Sequence, residues 1–173
     1  MRAICLLPVV LLGLAGAASA ENKFAPNKDP MTDAVGGDAI LNTQGTIMTA
    51  VSCEPAPNKH LTVYFVSKED LGYQFEQNGT IKVRIDSGTP FNLTGIYQDG
   101  AFRVEANVKP DSPGGHFIER TRTAKHMVVQ VTEIGGGTVT DEFDLGDDAA
   151  STIDQAVAVC DDPDWNKIIK SSR

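Results

Sequence analysis

Histidine, cysteine and tryptophan are scarce here, numbering three, three and one among 173 residues, and their scarcity closes several classes of function. A zinc centre needs three or four converging His, Cys or carboxylate ligands. His60, His116 and His126 are scattered, with no pair at ligand spacing. Thiol redox chemistry usually sits in Cys-x-x-Cys, which is absent, as is the Gly-x-Ser-x-Gly elbow of serine hydrolases. Ser87 and Ser112 read as turn serines. No loop has the alternating acidic positions and closing Glu of an EF-hand. Gly135-Gly136-Gly137 is not followed by Lys-Ser or Lys-Thr, so it reads as a turn and not as a phosphate cradle. Asp141 with Glu142, or Glu142 with Asp144, is a pair of the kind that flanks a glycosidic bond, but on an alternating strand Glu142 and Asp144 face solvent, opposite Phe143 and Leu145. Asp141 is the odd residue, because it shares a face with Val139 and Phe143. The expectation is a non-enzymatic chain with no catalytic residue, cofactor or metal.

Long apolar runs are missing too. The run Ala3 to Leu14 is shorter than the roughly 20 residues of a spanning helix. It follows Arg2 and precedes Ala15-Gly16-Ala17-Ala18-Ser19-Ala20, which marks residues 1–20 as a secretory signal cut after Ala20. Cys5 lies inside this run without a lipobox. The expected location is periplasmic or secreted, without stable membrane insertion. Cleavage removes one of the 15 basic residues and none of the 23 acidic ones, leaving a net charge of −9. Nucleic acid is excluded as a partner, because binding it requires a basic surface. The acidic excess gathers in the last third, from Asp141 to Asp164. It reads as a solvated face or, alternatively, as a docking surface for a basic partner.

What remains has the pattern of β structure. Residues 21–37 hold Asn, Asp, Pro and a Gly-Gly pair and predict an irregular arm. Residues 38–162 predict one β-rich domain, and residues 163–173 a tail. Within the domain, Ala39–Thr43 and Thr46–Cys53 flank a bend at Gln44-Gly45. In His60–Val66, Leu61, Val63 and Phe65 fall on one face. Ile81, Val83 and Ile85 alternate with Lys82, Arg84 and Asp86, so this strand is wet on one side. Phe91–Tyr97 and Ala101–Val108 flank Gln98-Asp99-Gly100, a hairpin signal. Residues 117–125 predict a short helix, and Met127–Glu133 with Thr138–Leu145 another hairpin. After Asp147-Asp148, the spacing of Ile153, Ala156, Val157 and Cys160 predicts a helix that docks on the sheet. The fold class is mostly β: an antiparallel β-sandwich or partly open barrel with one or two short helices and one disulfide.

Two cysteines remain after the leader, and in an exported chain they predict a bridge between Cys53 and Cys160. Asn78-Gly79-Thr80 and Asn92-Leu93-Thr94 match the N-glycosylation pattern, which has meaning only in a eukaryotic host.

Asp29-Pro30-Met31-Thr32-Asp33, the strand ending at Cys53, Leu61 to Phe65, Arg84-Ile85-Asp86, Val139-Thr140 and Phe143-Asp144-Leu145 before Cys160 occur in that order. This series resembles the VasI family of type VI secretion-associated proteins over roughly Phe24 to Cys160. Phe24 stands where the family has tryptophan, and residues 112–115 have no clear counterpart. The resemblance implies a compact exported β domain acting as an accessory protein, with no catalytic residues to carry over.

The functional expectation is a binding module for a protein partner in the envelope or extracellular space. The alternative is an inhibitor of an exported hydrolase such as lysozyme. Aromatics beyond the needs of a small core mark candidate partner contacts: Tyr73 and Phe75 in the long stretch Ser67–Gly79, and Trp165 in the tail, with Tyr64 and Tyr97 also considered.

Overall fold

A computed structural model describes residues 21–54, 59–72, 76–98 and 100–171. The expected signal segment and the candidate contacts Tyr73 and Phe75 lie outside the described residues. Nine strands form one sheet, antiparallel throughout: β1 (Lys23–Lys28), β2 (Val35–Leu41), β3 (Ile47–Cys53), β4 (Leu61–Ser67), β5 (Gln77–Ile85), β6 (Phe91–Gln98), β7 (Ala101–Ala106), β8 (His126–Thr132) and β9 (Thr138–Asp144). Their spatial order is β1-β2-β3-β4-β7-β6-β5-β8-β9. Helix α1 (Pro113–Thr123) leads into β8, while α2 (Ala149–Cys160) and α3 (Pro163–Ser171) follow β9. The protein is thus mostly β, as its alternating runs predict, with three helices where one or two were expected.

The alternation fixes which face is buried. Ile81, Val83 and Ile85 of β5 pair across β8 with Val131, Val129 and Met127, and all six are buried. At about 25 cal/mol per Å² of apolar surface, a face of this kind dominates the folding energy. Helix α1 lies on it, with Phe117 meeting Phe65 of β4 edge to face at 5.5 Å. Helix α2 covers β1, β2 and β3, and Cys160 at its end is bonded to Cys53 at the end of β3, the Cα atoms 5.3 Å apart. The predicted bridge is present.

The two helices are locked by Arg122, whose Nε and Nη2 donate to the two carboxylate oxygens of Asp154 at 2.7 and 3.2 Å. Their side chains are only 10% and 16% exposed. A two-point guanidinium–carboxylate contact fixes orientation as well as distance.

The sheet curls without closing. Asp141 of β9 reaches the β2–β3 hairpin, where its carboxylate accepts the backbone N–H of Ile47 at 2.8 Å and the side-chain amide of Asn42 at 2.9 Å. A carboxylate on the buried face of the edge strand β9 thus joins it to the β2–β3 hairpin without a strand ladder. Gly45 is required beside it, because a Cβ there would collide with the side chains of Asn42 and Asp141.

Two expectations are corrected. Residues 21–37 are not an irregular arm: β1 pairs with β2 from Lys23↔Ile40 to Lys28↔Val35. Pro26, which lacks a donor, is tolerated because β1 is an edge strand. The expected tail, residues 163–173, holds a helix, α3, over Pro163–Ser171. Asp162 Oδ1 accepts the N–H groups of Asp164 and Trp165 at 2.9 and 3.4 Å, and Pro163 opens the helix as its first residue. Trp165 is fully buried, its indole N–H donating to the Val108 carbonyl at 3.0 Å. It belongs to the core and is not a partner contact.

Candidate functional site

Most of the acidic residues in the last third have structural work. Asp154 holds α1 against α2, Asp162 caps α3 and meets Lys109 at 3.0 Å, and Asp147 meets Lys125 at 2.7 Å. Burial works to raise the Asp162 carboxyl, but the bonds from Lys109, Asp164 and Trp165 outweigh it and hold the group below its usual value. Glu142 and Asp144 clamp His126: Nδ1 lies 2.9 Å from Asp144 and Nε2 3.0 Å from Glu142. Their register across the β8–β9 hairpin, His126 opposite Asp144, makes the contact. The Asp144 bond raises the imidazole's affinity for its proton; partial burial opposes this, and Glu142 adds to it. Sequence spacing had left His126 isolated. Among the described residues no group of three His, Cys, Asp or Glu side chains is arranged to hold a metal ion.

Three concavities among the described residues bear on function. One of about 530 Å³ runs along α2 and includes Asp147 and Asp154, both of which are already paired. A shallower one of about 140 Å³ lies over Lys82 and Arg84 with Pro90 and Val128. The third, about 510 Å³, is lined by Glu54, His60, Thr62, Tyr64, Gln98, Ala101 and Arg103, and it alone of the three brings donors and acceptors of opposite charge together.

Strand geometry builds this third site. Strand β4 places Leu61, Val63 and Phe65 in the core, so Thr62 and Tyr64 point the other way. The β4–β7 register slips between Val63 and Tyr64, leaving Tyr64 opposite Arg103. Bulges of this kind re-aim side chains and recur beside functional sites. From β6, Gln98 stands opposite Ala101. Glu54 and His60 meet at the base of the β3–β4 loop, where the Glu54 N–H donates to the His60 carbonyl at 3.2 Å.

Tyr64 Oη donates to Glu54 Oε1 at 2.8 Å. Burial pushes the phenol up to about 12, helped by the Glu54 bond and charge, while the Arg103 charge and the Thr62 hydroxyl work the other way. The phenol therefore keeps its proton and stays committed to Glu54. Arg103 is partly buried and meets no carboxylate within salt-bridge distance among the described residues, unlike Arg122 with Asp154. A guanidinium offers five donors, and this one lines the concavity.

Of the sequence-derived candidates among the described residues, Tyr64 belongs to this site. Tyr97 packs edge to face on Phe102 at 5.4 Å. Arg103, Glu54 and Gln98 went unnoticed in the sequence. Arg103 carried a signal, since alternation in the strand with Phe102 and Val104 inward sends it to the same face as Tyr64.

Compared with known proteins, the chain matches no family model, no curated protein and no solved structure. No helix among the described residues is long and apolar enough to cross a membrane. The disulfide fits a protein of an oxidising compartment.

Proposed function

We propose that this protein is an exported, non-enzymatic binding module serving a bacterial envelope or secretion system, and that it receives its partner at the Glu54–Tyr64–Arg103 concavity. The observation that carries the reading is Arg103: a partly buried guanidinium that meets no carboxylate among the described residues, on the wall of a concavity of about 510 Å³. Burying a cation without a partner is costly, and an anionic group of a ligand would remove that cost. The leader-like residues 1–20 and the Cys53–Cys160 bridge support an exported setting. The accessory role is the one implied by the resemblance to the VasI family.

The test is affinity capture from an envelope extract, with the bridged protein and its Arg103→Gln variant as parallel baits at low and high salt. A defined envelope or secretion component retained by the first and lost with the second supports the proposal. A captured lysozyme-type hydrolase, inhibited at stoichiometric amounts, replaces it with the inhibitor reading. A partner held equally by both baits moves the binding surface elsewhere.

A further inference from the structure

The concavity has a polarity that narrows its ligand. Its donor side is Arg103, with Gln98 also on the lining. Its acceptor side is Glu54 with Tyr64. Because the Tyr64 hydroxyl donates to Glu54 Oε1 at 2.8 Å, its proton is committed and the phenol oxygen is left as an acceptor, while Glu54 Oε2 has no hydrogen-bond partner among the described residues. This side therefore takes N–H groups and rejects anions. A phosphate or sulfate would satisfy Arg103 but set its remaining charge against Glu54, and like charges at short range are repulsive. An apolar ligand would leave both sides unpaired, which costs about 1–3 kcal/mol for each group.

A ligand that offers a carboxylate and an N–H on neighbouring atoms meets both sides at once. The planar guanidinium matches a carboxylate in two parallel bonds, and the N–H falls to Glu54 and Tyr64. That pair of groups is the carboxyl-terminal unit of an amino acid, whether free or ending a peptide. The volume of about 510 Å³ lies in the range of small-molecule sites, enough for one or two residues. We propose that this concavity binds amino-acid carboxylate ends, with Arg103 taking the carboxylate and Glu54 with Tyr64 taking the adjacent N–H. The inference deepens the binding-module reading and rests on it.

The test is a titration of the bridged protein followed by NMR, reading the Arg103 Nε–H and Gln98 side-chain signals. The probes are glycine, N-acetylglycine, N-acetylglycylglycine, the N-acetylglycine methyl ester, acetate and inorganic phosphate. Saturable shifts with N-acetylglycine or its dipeptide, and none with the ester, are expected. Acetate, which lacks the N–H, should bind about tenfold more weakly or worse. Preference for glycine over the acetylated probes would assign a free amino acid, and the reverse a peptide end. Arg103→Gln should lose about tenfold or more in affinity with unchanged thermal unfolding, and Glu54→Gln should lose the preference over acetate while retaining the carboxylate. Equal binding of the ester, stronger binding of phosphate, or no binding by any carboxylate probe would overturn the assignment. In that last case, partner capture that still depends on Arg103 would leave the binding-module reading standing.

Discussion

The Asp141 carboxylate in β9 accepts the backbone N–H of Ile47 in β3 at 2.8 Å, linking strands six places apart in the sheet order. A side chain of the edge strand β9 thus joins the far side of the curled sheet without a ladder, alongside the helix that covers β1 to β3. Removing it strands the Ile47 N–H and leaves the Asn42 amide only its longer bond to the Ile47 carbonyl at 3.4 Å. Asp141→Ala should cost about 3 kcal/mol, and Asp141→Asn, which keeps an acceptor oxygen, about half of that. Urea unfolding reads both; a loss below about 0.5 kcal/mol for the alanine variant would show that the curl holds without this contact.

The Cys53–Cys160 bridge closes a separation of 107 residues. Chain entropy gives about 5 kcal/mol for a loop of this length, and removing such a bridge typically costs about 2 to 5 kcal/mol. Replacing both cysteines with serine should lower stability by that amount, and added reductant should have no further effect on the variant. A double variant as stable as the bridged protein would remove the bridge from the account of stability.

His126 gives stability a pH dependence of definite sign. Its affinity for the proton is raised above the usual 6.5 in the fold, chiefly by Asp144, against partial burial and with Glu142 adding to the effect. The Asp86 carboxylate binds its backbone N–H, and Arg84 of β5 lies opposite Val128, two residues along. The stabilisation is therefore complete below pH 6.5 and fades as pH rises through the folded-state value. With the ring 31% exposed, it should amount to about 1 kcal/mol or less. His126→Gln should flatten stability measured between pH 5.5 and 8.5, and NMR titration of the wild-type ring should give a midpoint above 6.5. A midpoint below 6.5 would contradict the clamp.

Trp165 is the single tryptophan and is fully buried. Its fluorescence should be blue-shifted in the folded protein and shift to the red on unfolding. Trp165→Ala should cost about 3–5 kcal/mol, while Trp165→Phe keeps much of the volume and loses mainly the bond to Val108, about 1 kcal/mol. A native emission like that of exposed indole would place α3 off the core.

The strands of the central sheet were legible because alternation is a local property: Leu61, Val63 and Phe65, or Ile81, Val83 and Ile85, declare their faces without help from the rest of the chain. Two helix starts were misread for a common reason. Ser112-Pro113 and Asp162-Pro163 each place an oxygen-bearing cap before a proline at the first helical position, yet Pro and Gly invite a reading as breakers. Gly115 inside α1 is explained by space, since a Cβ would meet the carbonyls of Lys109 and Pro110. Asp141 stood out in the sequence as polar on an apolar face, but its partners lie in another hairpin. The candidate site was less legible still. Its residues come from β4, β6, β7 and one loop, and their meeting depends on the β4–β7 register slip, which no local pattern encodes.

The bridge also imposes a schedule on synthesis. Cys53 leaves the ribosome 107 residues before Cys160, an interval of about 5 to 20 s at ordinary elongation rates. Throughout it, the nascent chain offers that thiol only one other cysteine of its own, Cys5. An oxidant acting early can therefore produce only a wrong loop or a bond to a foreign thiol, so correct pairing has to wait until α2 has been made.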